Sequence, residues 1–530
     1  MKTWPDVNAL YQVYPRSFKD ANGDGIGDLR GIIEKLDHFK GSKNSLGVDA
    51  IWISPIYCSP MKDFGYDVSN HCDIDPIFGT LDDFEELLHE AHRRDIKVML
   101  DFVPNHTSDQ HAWFQEALAD PKSPKRDYYV WRDPKPDGSP PNNWLSFFGG
   151  STWELEPASG QYYLHSFLSS QPDLNWQNPA VREEMKNVLR FWLDMGVDGV
   201  RADAIWYISK DPRWRDNPVR LDTDESPGSY WSYIHRYSRS GPHVLEYLRE
   251  LTDVVESYPD RFMIFEHLFD GDVDGRMEQL RSLYEVNPRV SAPFNFEGMF
   301  LPWHAEAFGE FIQFSQDVLC PGDISFHSFS NHDQSRIVSR FGKEQARLVA
   351  LLQLTMPGIS TIYYGEEIGM SDVAIPQSKL LDKGRGSSGN RDVARTPMQW
   401  SDDEYAGFSC MAPWLPTSRY SHSCNVVTEI NDDDSFLNLY RQLLGLRQAN
   451  DILIKGSYTP IKSYKDILAF ERAYGDEKYV IVLNFSAKKR DVFVTYSGAV
   501  IASTHPARPP HIARNGEVTL RSYEGIVVKL

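Results

Sequence analysis

Val197-Asp198-Gly199-Val200-Arg201-Ala202-Asp203-Ala204 decides the fold. It is a short apolar run, the right length for a buried strand, that ends in a guanidinium and a carboxylate two residues apart and so on one face. Seven other segments share its texture: 9–13, 48–53, 97–103, 262–265, 291–296, 324–330 and 359–364. Longer amphipathic runs separate several of them, at Leu81 to Arg94, Val181 to Leu193, Pro242 to Ser257 and Lys343 to Leu354. Eight strands alternating with helices predict an α/β fold, a (β/α)8 TIM barrel, with reactive groups where strands end and loops begin. An open doubly wound sheet is the alternative, but the chain carries neither G-x-G-x-x-G nor G-x-x-x-x-G-K-[ST].

Two segments exceed a minimal barrel. Residues 106–176, rich in Pro, Gly, Trp and Tyr, are too long for a βα loop and are expected to form an excursion domain over the mouth after strand 3. Residues 365–435, which include the run Gly384 to Gly389, read as a long loop after the eighth strand. A helix is expected over 436–450. Beyond it, 451–530 carries a local charge of +4 against −24 for the rest, and its closely spaced apolar runs predict a C-terminal antiparallel β-sandwich. The barrel is thus assigned 1–105 and 177–450.

The 530 residues carry a net charge of −20, which disfavours nucleic acid and anionic membranes as partners. Apolar residues make up 41% and charged residues 25%, the balance of a folded globular chain. The five cysteines are scattered without C-x-x-C spacing, and the start lacks the apolar core of a secretory signal, so a cytoplasmic location is expected.

Three acids fall at predicted strand ends: Asp203, Glu266 after Phe262-Met263-Ile264-Phe265, and Asp333 after Asn331-His332. An Asp beside Arg201 is held ionised, as a nucleophile requires, whereas a Glu after four apolar residues is pushed toward the protonated form of a general acid. That division is what cleavage of a glycosidic bond needs, with a close pair giving retention of configuration. A further constellation, Asp20-Ala21-Asn22-Gly23-Asp24-Gly25-Ile26-Gly27-Asp28, spaces oxygens from Asp20, Asn22, Asp24, the Ile26 carbonyl and Asp28 as in a calcium loop. Position 12 of that loop is Gly31, so the EF-hand itself is not expected; the alternative is a turn capping the next helix through Asp28.

These residues resemble the α-amylase superfamily of glycoside hydrolases, family 13, in its α-glucosidase and oligo-1,6-glucosidase group. The resemblance rests on Asp101-Phe102-Val103-Pro104-Asn105-His106, Gly199-Val200-Arg201-Ala202-Asp203, Phe265-Glu266-His267 and Asn331-His332-Asp333, in order. Gln171-Pro172-Asp173-Leu174-Asn175 and Ala394-Arg395-Thr396-Pro397-Met398-Gln399-Trp400 extend it. It implies Asp203 as nucleophile, Glu266 as acid/base and Asp333 as transition-state stabiliser. It also implies a glucose site of Asp63, Tyr66, His106, Arg201, His332 and Arg391, with Arg395 a candidate for pinning the loop instead, and a structural Ca²⁺ or Mg²⁺ on the 20–28 loop without an organic cofactor. The implied activity is exo-hydrolysis of short α-glucosides by a monomer or homodimer. Ala204, where relatives specific for α-1,6 bonds carry Val, favours α-1,4 linkages. A transglucosidase or isomerase using the same residues is the close alternative, and a non-catalytic carbohydrate-binding relative the remote one. Trp113, Trp131, Trp144 and Phe147 are candidates for shielding the covalent intermediate, with plain packing as the alternative.

Overall fold

The computed structural model describes residues 1–221, 223, 225–226, 228–267, 273–382, 390–461, 466–493, 498–505 and 517–530. Eight parallel strands close into a barrel: β1 (Ala9–Val13), β2 (Ala50–Ile53), β3 (Lys97–Phe102), β4 (Gly199–Ala202), β5 (Phe262–His267), β6 (Ser291–Asn295), β7 (Phe326–Ser328) and β8 (Ile359–Tyr363). Each pairs with its neighbours in sequence, and β8 returns to β1 through Gln12 opposite Tyr363. This sequential closure sets β3, β4 and β5 side by side, with Asp101 opposite Arg201 and Ala202 opposite Phe265.

Local chemistry explains the elements. The strands are almost wholly buried, as parallel strands covered by helices must be. Helix Leu81–Arg93 opens on a capping box between Thr80 and Asp83, and helix Pro179–Asp194 on the Asn178 side chain with proline in its first turn. Gly199 is required by close approach: a Cβ there would lie 2.7 Å from the Phe262 carbonyl oxygen. Strand β7 is shorter than the expected 324–330, because the chain turns away at Phe329, whose carbonyl is taken by Arg340 instead of a neighbouring strand.

The excursion leaves the barrel after β3 and is pinched at its base by a bridge between His106 and Asp173. It holds helix Ala112–Ala119 and a three-stranded sheet of Trp131–Arg132, Gln161–Leu164 and Trp153–Glu156. The stretch after β8 is built of short turns, among them Glu366–Ile368 and Arg391–Ala394; the run Gly384 to Gly389 lies outside the described residues.

At the C-terminus a five-stranded antiparallel sheet faces a two-stranded one formed by Arg490–Phe493 and Glu517–Leu520. Alternation along the strands sorts their side chains. Leu468, Phe470, Ile481 and Leu483 join the main core with the barrel helices, while Ile467, Ala469, Val480 and Val482 meet Val518 and Leu520 between the sheets. The expected Val492-Phe493-Val494 strand ends at Phe493, Val494 lying outside the described residues.

Two buried arginines tie this unit to the barrel. Arg447 donates to the carbonyls of Asn8 (2.7 Å), Leu453 (2.9 Å), Leu354 and Met356 (both 3.2 Å) and to that of Gly358. Arg472 donates to Thr355, Gly456 and Ser457. Among the described residues neither has a carboxylate partner, and burial pushes Arg447 down to about 10. Arg447→Met would strip the donors from five carbonyls and is expected to cost about 3 kcal/mol or more. Thermal unfolding should show the drop, with Arg447→Lys recovering only part of it; an unchanged midpoint would refute this role.

Candidate active site

One guanidinium organises the C-terminal end of the barrel. Arg201 on β4 donates through Nη1 to Asp101 Oδ1 (2.5 Å) and Asp203 Oδ1 (2.7 Å), and its Nη2 lies 2.7 Å from Glu266 Oε2. Asp101 is held further by Trp52 Nε1 (2.8 Å) and the Tyr66 hydroxyl (3.3 Å). Asp203 Oδ1 and Glu266 Oε2 each lie 2.7 Å from neighbouring nitrogens of the same guanidinium. They therefore belong to the close class of carboxyl pairs, about 5–5.5 Å apart or less, and not to the ~6.5–9.5 Å class that holds a water between the acids.

The charge balance is unequal: three carboxyl groups face one cation. Burial, followed by the repulsion of Glu266, holds Asp203 well above the usual carboxylate range despite Arg201. Asp101 is pushed up to about 6 by burial, against the pull of Arg201. This differs from the expectation that Arg201 keeps Asp203 ionised. Glu266 lies against Arg201 and accepts from the Ala204 N–H (2.8 Å).

Asp333 has the opposite environment. Burial works to raise it, but His332, Arg391 and Arg395 outweigh burial and hold it well below the usual range. Burial pushes His332 itself down to about 3, so the two arginines carry the effect at neutral pH. Both donate to Asp333 Oδ1, Arg391 from 3.0 Å and Arg395 from 2.8 Å. Arg391 also binds Asp63 (2.9 Å) and Asp382 (2.7 Å), whereas Arg395 turns back to the His332 carbonyl (2.7 Å). Arg391 alone of the two lines the cavity, which gives Arg395 the pinning role.

The cavity has a volume of about 520 Å³, the size of a small-molecule site. Eight of the nine predicted chemical and sugar-binding residues line it: Asp63, Tyr66, His106, Asp203, Glu266, His332, Asp333 and Arg391. Arg201 sits beneath, fully buried. Tyr66 stacks on His332 at 5.4 Å, and His332 is set from below by Gln12 Nε2, 2.8 Å from its Nδ1. Gln171 donates to Asp63 Oδ2 (2.9 Å) and lies 3.1 Å from His106 Nε2. Asp173 pairs with buried Lys210 (2.6 Å) and accepts from Asn105 (3.0 Å). Residue 267 lies on the far side of β5, where the His267 ring meets Trp206 at 6.0 Å, and is absent from the cavity lining.

Sequence reasoning missed Gln12, Asp101 and Asp382 as supports of the site; Asp101 alone carried a signal, being within a quoted motif. The aromatic candidates divide between shielding and packing. Phe147 does line the cavity, joined by Phe148, Phe167, Trp206 and Trp231, but Trp131 stacks on Phe114, Trp113 packs beside His111, and Trp144 lies in the excursion's own core.

In the 20–28 loop the acids cap backbone. Asp20 accepts from the N–H groups of Gly23 and Gly25 and from Ser409, and Asp28 from those of Ala21, Asn22 and Gly31. Among the described residues no three His, Cys, Asp or Glu side chains converge closely enough to hold a metal by themselves.

Residues 12–456 match the family described as alpha amylase, catalytic domain. A probable alpha-glucosidase of Rhizobium meliloti is 41% identical over 92% of this chain and 90% of its own length. An oligo-1,6-glucosidase of Bacillus cereus is 37% identical over the full length of both. Among solved structures, the alpha-glucosyl transfer enzyme XgtA covers all of both chains at 35% identity with a TM-score of 0.90.

A raised native pKa means the proton is bound more tightly in the folded than in the unfolded chain, so the stability it supplies is present at low pH and lost as pH rises through the native value. Removing the titrating group should therefore help most at neutral pH. Asp203→Asn is expected to raise the thermal unfolding midpoint at pH 7 and to lose that advantage toward pH 4. A gain that grew on acidification would refute the raised position of Asp203.

Proposed function

The chain belongs to the α-amylase family of glycoside hydrolases, and from that premise we propose that it is a retaining α-glucosidase that removes terminal glucose from short α-glucosides. The observation that carries this reading is the pair Asp203 and Glu266, both held by Arg201, at the edge of a cavity whose floor is closed by Asp63, Arg391 and Asp333. A floor so closed leaves no path for a polymer to continue, which favours exo action on a terminal sugar.

In this mechanism Asp63, His106, Arg391 and His332 hold the glucose hydroxyls, and the Tyr66 ring offers it an apolar face. Substrate entry separates the two carboxyls, leaving the proton on Glu266 and the charge on Asp203, which Arg201 then stabilises. Glu266 protonates the leaving oxygen as Asp203 attacks the anomeric carbon; water, deprotonated by Glu266, then releases α-glucose. Asp333, kept ionised by Arg391 and Arg395, stabilises the positive charge that develops on the ring.

Ala204 supports the α-1,4 preference. It lines the cavity at φ 45°, where a β-branched side chain would add strain and crowd the leaving sugar. A phosphorylated substrate is disfavoured, since Arg391 is the one cation among the described lining residues and is already bonded to three carboxylates. Glucosyl transfer to an acceptor other than water is the second reading, favoured by the aromatic wall of the cavity and by the likeness to a glucosyl transfer enzyme.

We also infer that the 20–28 loop holds a structural Ca²⁺ or Mg²⁺ through Asp20, Asn22, Asp24, the Ile26 carbonyl and Asp28. Its buried acids fit such an ion. Asp20 and Asp28 have no cationic partner among the described residues, and burial, with repulsion from Asp20, raises Asp28. A divalent cation there would offset that repulsion and stiffen the loop, away from the reacting carboxyls.

Proton NMR of turnover tests the main proposal: α-glucose should appear before mutarotation, from maltose faster than from isomaltose. Asp203→Ala should lower kcat by about 10³-fold or more while the protein still folds. First appearance of β-glucose, or a variant of unchanged rate, would overturn it. For the loop, a chelator should lower the unfolding midpoint by several degrees, and Ca²⁺ in excess should restore it; a midpoint indifferent to both would remove the ion from the account.

A further inference from the structure

A second cavity, of about 500 Å³, shares no lining residue with the barrel mouth. It is formed by the 121–132 stretch of the excursion with Gln161, Asn175 and Gln177, and by Trp214 from the segment after β4. Two arginines line it, each laid on an indole. The Arg126 guanidinium lies over the Trp131 ring at 3.2 Å and that of Arg132 over the Trp214 ring at 4.2 Å. Trp214 has a φ of 56°, a left-handed backbone that is rare for a residue with a Cβ, so strain is accepted where the indole meets Arg132.

Neither arginine is paired with a carboxylate among the described residues. Arg126 donates to neutral acceptors only, the Ala117 carbonyl (3.0 Å), Ser159 Oγ (2.9 Å) and Gln161 Oε1 (3.0 Å). Arg132 makes one bond, from Nη1 to the Trp131 carbonyl (2.6 Å), which leaves its Nε and Nη2 without a partner among the described residues. Trp214 Nε1 is unbonded there too. The one carboxylate of the lining, Asp127, accepts from the Asn175 and Asn178 amides (3.3 and 2.9 Å). Burial pushes both guanidiniums down from the usual arginine value, and Glu156 near the first and Asp127 near the second offset it only in part.

A cation taken out of water without a counterion is costly, and the N–H fork of a guanidinium matches two oxygens of a carboxylate or phosphate. A neutral sugar would ask the wall for acceptors as well as donors, whereas an oxyanion asks for donors alone. The volume falls among small-molecule sites and exceeds what a bare ion fills, and Pro124, Tyr129 and Val130 add apolar surface for a compact body. We propose that this cavity binds a small organic oxyanion, a phosphate ester or carboxylate on a ring-sized body, through Arg132 and Arg126. The site is separate from the reacting carboxyls and does not depend on the glucosidase reading.

Calorimetric titration of the full-length protein tests it, with glucose 6-phosphate and gluconate as probes and glucose and inorganic phosphate as controls. The score is the change in Kd between wild type and Arg132→Gln, which binding at the barrel mouth does not move. For one or both organic anions that change should be about tenfold, with Arg132→Lys losing less because it keeps the charge without the fork. Trp214→Phe, which keeps a ring and removes one N–H, should weaken the same binding about threefold. Glucose should show no change and inorganic phosphate a smaller one than the organic anion, while circular dichroism of the variants matches wild type. Neither organic anion binding, affinities unchanged in Arg132→Gln and Trp214→Phe alike, or an equal change for glucose would overturn the proposal. An equal change for inorganic phosphate would overturn it as well, because a bare ion would then suffice.

Discussion

The structure of the site depends on the burial of Arg201 among three carboxyl groups. Strand closure makes the arrangement unavoidable, since β3, β4 and β5 are adjacent and place Asp101 opposite Arg201, with Glu266 one strand further on. A buried cation costs several kcal/mol unless paired, and three acids more than pair it. Trp52 and Tyr66 lie over the guanidinium at 5.1 and 5.9 Å, which keeps water from relaxing the interaction. The surplus of negative charge then has one outlet, a proton retained among the carboxyls.

Asp333 is governed by the inverse ratio, two arginines on a single carboxylate oxygen. The two halves of the site thus keep opposite protonation states within one cavity, and do so by counting charges instead of by contrasting apolar with polar surroundings. Their origins differ too. The Arg201 cluster comes from barrel strands, rigid by virtue of the ladder, while Arg391 and Arg395 come from a short turn in the long segment after β8. Asp382 anchors that turn through Arg391, so the floor of the pocket and the ionisation of Asp333 are set by the same contacts.

What the sequence made legible follows physical periodicity. The eight strands were found because buried parallel strands are continuous apolar runs, and Arg201 and Asp203 were placed on one face by the two-residue repeat of a strand. The three acids followed from strand ends. The four apolar residues before Glu266 describe the strand and not the carboxyl, whose partners come from β4 and the residues just after it. Gln12 and Asp382 had no local signature, since each matters through a residue hundreds of positions away or across a turn. The tryptophans stayed open between shielding and packing for a related reason: a small excursion of about 70 residues needs large side chains for its own core, and composition cannot separate those from the ones that face a ligand.

Gln171 and Asp173 show how a linear signature becomes geometry. Asp173 is bound by Lys210, Asn105 and Ser166 at the base of the excursion, and Gln171, two residues before it, reaches Asp63 and His106. The excursion is thereby fixed to the barrel at the point where it contacts the glucose end. Ala204 has the equivalent position on the other side. Its left-handed backbone, at a cost of about 1 kcal/mol for a residue with a Cβ, turns its N–H toward Glu266 and leaves only a methyl group in the cavity. Strain accepted at that residue orients the Glu266 carboxyl and leaves the cavity open beside it, so both features are tied to one backbone conformation.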